Sequence, residues 1–500
     1  MKPLFLFVRP PRPLWPFNGP SSAFWPPLAF ASMAAMLRAR VPGWRVEILD
    51  APALEMGWRT LESELRRRQP ACVGLGEEAV SCVEGLRLAA LAKGCGARVI
   101  AGGCFFGHVA PEALQTGLID VVVHGEGEVT LVELVEALGD TPHALEHVAG
   151  LSFLRDGEVV TTKPRELLAD LDRLPIPAYD LLPVERYGAR SRNHPRLAAI
   201  ELGRGCTGSC DFCILWRQMG RFADGRTVPH LRTKSPERLL EEVRLLVGHH
   251  GRRYLGWVDP CFNAHPSVPG QLAELMLRHG LRLGQSAWMR SDCIVRDTQS
   301  EALTSCVEAG LNEIHLGIER PDPASLHGLH KTSTLDHARQ ALRIMQTCFP
   351  QVVTIGSFIY GLPGDTPATM RHILRLRLEL GLDQSFFIPL TPLPGTALWQ
   401  PKLWDSTGQA FRRFGFLSLY RPHDGLTVLE SALLRSLLFS WPPARLRSYL
   451  RSFFAPDPRK RRVSWRLAWR GGFYHLARFL RSLTAAEEDT GLVFPAWYES

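Results

Sequence analysis

The sequence predicts an α/β chain: a doubly wound front unit, a partial (β/α)6 barrel and a mainly helical C-terminal unit. Three observations carry this expectation. Short apolar runs alternate with helix-like stretches over residues 3–137, and the same rhythm returns over residues 196–400. Glycine and charged residues collect where the apolar runs stop, which is where such folds bind their ligands. After residue 400 the rhythm is lost, and Trp and Arg interleave instead. With 500 residues, 45% apolar and 22% charged, the chain has material for several cores and too ordinary a composition for wholesale disorder. Its longest apolar stretches, such as Phe24–Leu37, contain proline and fall short of the roughly 20 residues that a membrane span needs. Met1–Arg9 runs into Pro10, Pro11 and Pro13 without the form of a secretory signal, so a cytoplasmic location is expected.

In the front unit, residues 1–140, strands are expected at Leu4–Val8, Arg45–Leu49, Cys72–Leu75, Arg98–Ala101 and Asp120–Val123. Helices are expected at Ala23–Arg40, Leu61–Arg68, Val80–Ala92 and Val129–Leu138. The pattern is Rossmann-like, with Gly74, Gly76, Gly102, Gly103, Gly125 and Gly127 at the strand ends. It does not spell the G-x-G-x-x-G dinucleotide fingerprint. Glycines there let a large flat ligand or a phosphate approach the backbone, or simply make tight turns. Residues 141–195 read as a connector, with a hairpin at Phe153–Lys163 and a proline-punctuated stretch, Leu171–Pro177, that cannot be helix interior. Residues 196–400 carry six strands, Leu197–Gly203, Tyr254–Val258, Arg282–Trp288, Glu313–Ile318, Val352–Ile359 and Ser385–Leu390, with helices between them. Arg204, Cys206, Asp259, Arg290, Glu319 and Gly361–Asp365 fall at or near their carboxyl ends.

The net charge of +8 is unevenly placed. Arg421–Thr484 holds thirteen Lys/Arg against three acidic residues, a net +10, which leaves −2 for the rest. The basic, aromatic region 401–500 suits a helical unit with a cationic face, or contact with an anionic substrate or a membrane surface. It is no nucleic-acid signature.

Eleven cysteines in a chain of this length do not make a disulfide scaffold. Eight are scattered; Cys206, Cys210 and Cys213 stand together as C-x3-C-x2-C after a predicted strand. A structural zinc site wants four protein ligands, and a [4Fe–4S] cube is normally held by four cysteines. Three local thiolates would leave one iron open to a substrate. A zinc site completed by a histidine such as His194, or three unrelated thiols, are the plain alternatives.

The C-x3-C-x2-C loop with Phe212 before its last cysteine resembles the radical S-adenosylmethionine (SAM) signature. Gly317-Ile318-Glu319, Gly361-Leu362-Pro363-Gly364-Asp365 and Pro392-Leu393-Pro394-Gly395-Thr396 are similar to that family's later motifs, and Asp259 stands where it often places an acid after the second strand. Trp25–Leu37, Gly102-Gly103, His124–Glu128 and Leu171–Tyr179 resemble elements of its cobalamin-binding branch. The resemblance covers about residues 1–400. No D-x-H-x-x-G motif is present to offer a histidine to cobalt.

The resemblance implies a [4Fe–4S] cluster on Cys206, Cys210 and Cys213, SAM on its open iron, and cobalamin in the front unit. Asp259, Arg290, Glu319, Gly361 and Pro363 become candidates for holding SAM; Gly102, Gly103, Gly125, Glu126 and Gly127 become candidates for cobalamin. It implies an enzyme that makes a 5′-deoxyadenosyl radical and most often methylates an unactivated carbon of a small molecule or peptide, fed by a flavodoxin- or ferredoxin-like electron donor. Cys213–Arg217 and Thr233–Pro236 are mildly similar to the anaerobic magnesium-protoporphyrin monomethyl ester cyclase, so radical cyclisation is the alternative. A non-catalytic iron–sulfur or cobalamin sensor is a third.

Overall fold

The structure is a computed structural model. It describes residues 2–13, 25–77, 81–138, 144–189, 191–299, 301–362, 364–400, 450, 454, 457–458, 460–462 and 494–500. The basic C-terminal region expected to be helical lies almost wholly outside the described residues.

The front sheet contains β1 (Leu4–Arg9), β2 (Arg45–Asp50), β3 (Cys72–Leu75), β4 (Arg98–Ala101), β5 (Val121–Val123), β6 (Leu151–Arg155) and β7 (Glu158–Thr161). Their order is β2-β1-β3-β4-β5-β6-β7. The first five are parallel, and the inner ones are wholly or largely buried while edge strand β2 is half-buried, as strands covered on both faces must be. One apolar cluster fills each face: Leu4, Leu6 and Val8 point into one, Phe5 and Phe7 into the other. The strand order turns back on itself between β1 and β3, which opens a crevice beyond their carboxyl ends. The hairpin β6–β7, which the sequence places in the connector, adds antiparallel to β5. The front sheet therefore runs on to Thr161.

The second sheet contains β8 (Leu197–Ile200), followed outside it by β9 (Gly203–Gly205), β10 (Arg221–Ala223), β11 (Arg226–Val228) and β12 (Leu231–Thr233), and then β13 (Tyr254–Trp257), β14 (Gly284–Met289), β15 (Leu311–Glu319), β16 (Val353–Tyr360) and β17 (Gln384–Pro389). Strands β8, β13, β14, β15, β16 and β17 pair in that order, all parallel. A sequential parallel order without reversal is that of a β/α barrel, since right-handed crossovers put every helix on one side. Leu311, Ile314, Leu316 and Ile318 of β15 join the helix-side core; Glu313, His315 and Gly317 alternate to the opposite, inner face.

Three features bind the units. Asp50, at the end of β2, has no solvent exposure. It accepts two bonds from Arg9 (2.6 and 2.7 Å) and one from the Tyr187 hydroxyl (2.6 Å) of the connector. Tyr179 of the connector donates to Glu242 in the barrel at 2.6 Å. Trp25 lies so close to Gly256 of β13 that a Cβ there would meet its ring at 2.4 Å. The segment 494–500 returns to the front unit: Tyr498 stands edge-on to Trp58 and donates to Glu84 at 2.8 Å, and Arg59 and Thr60 amides donate to the Ser500 backbone oxygen.

Candidate active site

Strand β8 ends at Ile200, and the chain turns through β9 into the cysteine loop. Asp259, just after β13, holds this turn. Its two oxygens accept the backbone amides of Gly203 (2.6 Å) and Leu202 (3.0 Å). Burial raises its carboxyl to about 7, against the pull of those amides. With an amide on each oxygen, Asp259 positions the start of the cysteine loop. Gly205 follows at φ +95°, and a Cβ there would meet the His230 carbonyl at 1.8 Å. Only glycine fits this pairing of β9 with β12.

Cys206, Cys210 and Cys213 share one half-buried loop. Burial pushes the Cys210 and Cys213 thiols up; Lys331 opposes this at both, and the Leu215 and Trp216 amides oppose it at Cys213. The Gly208 amide donates to the Cys206 sulfur at 3.3 Å. Donors of this kind favour the thiolate form that binds metal. Among the described residues no three His, Cys, Asp or Glu side chains converge as around one metal ion. A cube needs no such convergence, because each cysteine ligates a separate iron. His194 is not near this loop. It bonds Glu313 at 3.2 Å toward the amino end of β15 and stands edge-on to Tyr254, which removes it as a fourth zinc ligand.

Charged groups ring the loop. Arg290, after β14, is held by Asp292 and donates to Thr207 (3.0 Å) and Thr332 (2.6 Å). Its guanidinium would lie 2.9 Å from a Cβ at position 208, so Gly208 gives it room. Glu319 ends β15 at φ +67°, a left-handed conformation that costs a non-glycine residue of order 1 kcal/mol or more and collects at functional sites. The register of β15 against β16 slips there. The Glu319 carboxylate accepts from Ser357 (3.3 Å) and faces Lys331 at 3.5 Å. Burial raises its pKa and Lys331 opposes the rise. After β16, Gly361 at φ +83° opens a turn closed by Asp365, which accepts the Gly361 (2.7 Å) and Leu362 (3.0 Å) amides and pairs with buried Arg320. Pro363 lies outside the described residues.

A cavity of about 490 Å³ lies over the front sheet's crevice and reaches the barrel. Gly102, Gly103, Gly125 and Gly127 line it, with Phe5 and Phe7 beneath and Glu201, Arg204 and Met219 opposite. A glycine-edged, largely apolar floor at a strand-order reversal fits a large flat cofactor. Glu126 is expected as a cofactor contact and does line the cavity, but its carboxylate serves the seam. It accepts from Arg204 (3.1 Å), Arg232 (2.9 Å) and the Leu168 amide (2.9 Å). Although burial opposes it, these partners hold Glu126 below the usual carboxylate range. Arg204, two residues before Cys206, also bonds Glu128 (2.6 Å) and Glu201 (2.9 Å). One guanidinium thus ties the cysteine loop to the cavity rim.

Sequence reasoning misses the role of Arg204 in this seam, and misses Lys331, Ser357 and Arg232. No local pattern signals Lys331, which stands twelve residues beyond its partner Glu319.

Two family models match the chain, the radical SAM superfamily over residues 200–377 and the B12 binding domain over residues 17–135. An uncharacterized methyltransferase of Pyrococcus horikoshii is 28% identical, over 75% of this chain and 78% of its own. The anaerobic magnesium-protoporphyrin IX monomethyl ester cyclase of Rubrivivax gelatinosus is 24% identical, over 75% and 66%. In fold, the chain is similar to the radical SAM methyltransferase TsrM of Kitasatospora setae, solved with cobalamin and a [4Fe–4S] cluster. The TM-score is 0.66 at 17% identity, covering 96% of this chain and all of that one. With a glycine-edged cavity over the front sheet, a three-cysteine loop at the barrel mouth and a family model matched to each, this chain belongs to the cobalamin-binding radical SAM enzymes, whose cofactors are a [4Fe–4S] cluster, SAM and cobalamin.

Proposed function

We infer that the enzyme methylates an unactivated carbon of a small molecule. When bound, the cofactors supply reductive cleavage of SAM, a carbon-centred radical and a transferable methyl group. The rest is the work of the chain. Cys206, Cys210 and Cys213 would hold the cluster and leave one iron without a protein ligand. Arg290, Glu319 and Lys331 offer fixed charges beside that corner for the carboxylate, ammonium and ribose groups of SAM. Gly361 brings backbone close to the same mouth. Gly102, Gly103, Gly125 and Gly127 would let cobalamin lie flat on the front sheet, and the seam around Arg204 ties the cysteine loop to that cavity's rim.

The observation that carries methyl transfer is the continuity of the cavity. Its lining passes from the front glycines to Glu201 and Arg204 beside the cysteine loop, so a group carried at the front sheet can reach a substrate at the barrel. The relatives named as methyltransferases support the same reading. A low-potential, one-electron donor protein is required as partner. No helix among the described residues is long and apolar enough to cross a membrane, and the expected membrane contact of the basic tail falls outside them.

The test is anaerobic reconstitution with iron, sulfide and cobalamin, then reduction with SAM and candidate substrates. Methyl transfer yields S-adenosylhomocysteine together with 5′-deoxyadenosine. Release of 5′-deoxyadenosine without S-adenosylhomocysteine would favour the cyclase-type reaction, and release of neither would overturn the enzyme reading.

A further inference from the structure

The chain after Cys213 makes a short helix, Leu215–Gln218, and then the hairpin β10–β11, which pairs with no other strand. Each side of this hairpin is chemically distinct. Toward the interior, Gly220 lies against the Trp216 carbonyl and Thr227, and the Trp216 indole donates to the Cys210 carbonyl at 2.8 Å. The hairpin therefore stands one side chain away from the cysteine loop. Toward solvent it presents Phe222, 73% exposed, between the exposed Arg221 and Arg226. Arg217 lies over the Trp216 ring at 4.6 Å. Arg221 adds to the positive field at His230. Neither Arg221 nor Arg226 pairs with a carboxylate among the described residues, and Asp224 at the tip is the one acid in the hairpin.

An aromatic left in water costs hydrophobic free energy unless a partner covers it, and unpaired arginines around it choose the sign of that partner. The turnover inferred above needs an electron delivered to the cluster from outside. The donor must come close to the cysteine loop, and the hairpin follows that loop in the chain with Trp216 bridging the two. We propose that the β10–β11 hairpin, with Phe222 as its apolar centre and Arg221 and Arg226 as its rim, is the docking surface for an acidic one-electron carrier protein of the flavin or iron–sulfur class. One electron leaves the reduced carrier and enters the cluster; the carrier is oxidised by one electron and no bond of this chain changes. The proposal rests on the radical SAM reading.

The experiment uses the reconstituted full chain with purified flavodoxin as the probe, and compares wild type with Phe222→Ser and with Arg221→Glu/Arg226→Glu. Binding of flavodoxin is measured directly at low and high salt, without turnover. SAM cleavage is then measured with reduced flavodoxin and, separately, with dithionite. Each variant should weaken flavodoxin binding about tenfold or more, and the charge reversal should also abolish its salt dependence. Flavodoxin-driven cleavage should fall in step while dithionite-driven cleavage stays within about twofold. Arg221→Lys/Arg226→Lys, which keeps the charge, should restore binding. Unchanged flavodoxin binding in the variants overturns the proposal. So does a parallel loss with both reductants, which would make the hairpin part of the site's own architecture. Loss of a wild-type dimer in the variants would assign the face to a second copy. Failure of dithionite to cleave SAM in wild type would strike the radical reading instead, while the binding arm still decides the docking surface.

Discussion

The two ligand-facing mouths of this molecule are built on opposite principles. Over the front sheet, the floor is Phe5, Phe7 and four glycines, and its nearest carboxylates, Glu126 and Glu128, are turned into ion pairs. At the barrel, the mouth is crowded with charge: Arg290 with Asp292, Glu319 with Lys331, Arg320 with Asp365. The first selects by shape and accepts a large prebuilt group. The second fixes charges around a small, reactive one, where a dry and preorganised field matters most. The contrast shows where variation is tolerated: a bulky side chain ruins the front mouth, and a displaced charge ruins the barrel.

The sharpest test of this contrast is Cys213→Ala. It should abolish the cluster absorption and 5′-deoxyadenosine release while cobalamin uptake, read from the visible spectrum, persists. Loss of both would mean the mouths are not independent. Arg204→Ala attacks their one shared group. It leaves buried Glu128 and half-buried Glu126 and Glu201 without their common partner, and should cost about 3–5 kcal/mol in urea unfolding, with cluster and cobalamin loading falling together.

Asp259 sharpens the barrel side. Its folded pKa, about 7, lies above the ordinary 3.8. The folded chain therefore keeps a proton that the unfolded chain has released between those values. Its contribution to stability is complete below about pH 4 and is lost as pH rises toward about 7. Asp259→Asn should flatten that part of the urea-unfolding profile and cost roughly 1–3 kcal/mol, because an amide NH2 would then oppose a backbone N–H. The smallest effect is expected at Tyr498→Phe. Loss of its bond to Glu84 should cost about 1 kcal/mol and speed amide exchange in the helix Trp58–Arg68 without touching either mouth.

How legible each part was follows from how local its cause is. Strands Cys72–Leu75 and Arg98–Ala101 match expectation to the residue, because both are apolar runs stopped by glycine. The cysteine loop is legible for the same reason: its spacing is its chemistry. Strand β8 is shorter than expected, ending at Ile200 rather than Gly203, since Asp259 captures the next amides from another strand. Glu126 reads as a cofactor contact in its G-E-G-E context and does line the cavity; its second tie, to the seam, was not legible, because Arg204 and Arg232 approach from residues far along the chain. Lys331 answers to Glu319, and no local pattern announces a partner across a turn.

The segment at Phe494–Ser500 has one last consequence. The chain passes from the front sheet to the barrel through residues 162–196, and its residues 494–500 are fastened to the helix Trp58–Arg68 of the front unit. The Tyr498 and Ser500 carbonyls take the Trp58, Arg59 and Thr60 amides, the first-turn donors that a helix leaves without partners of its own, so this short segment caps a helix that has no side-chain cap.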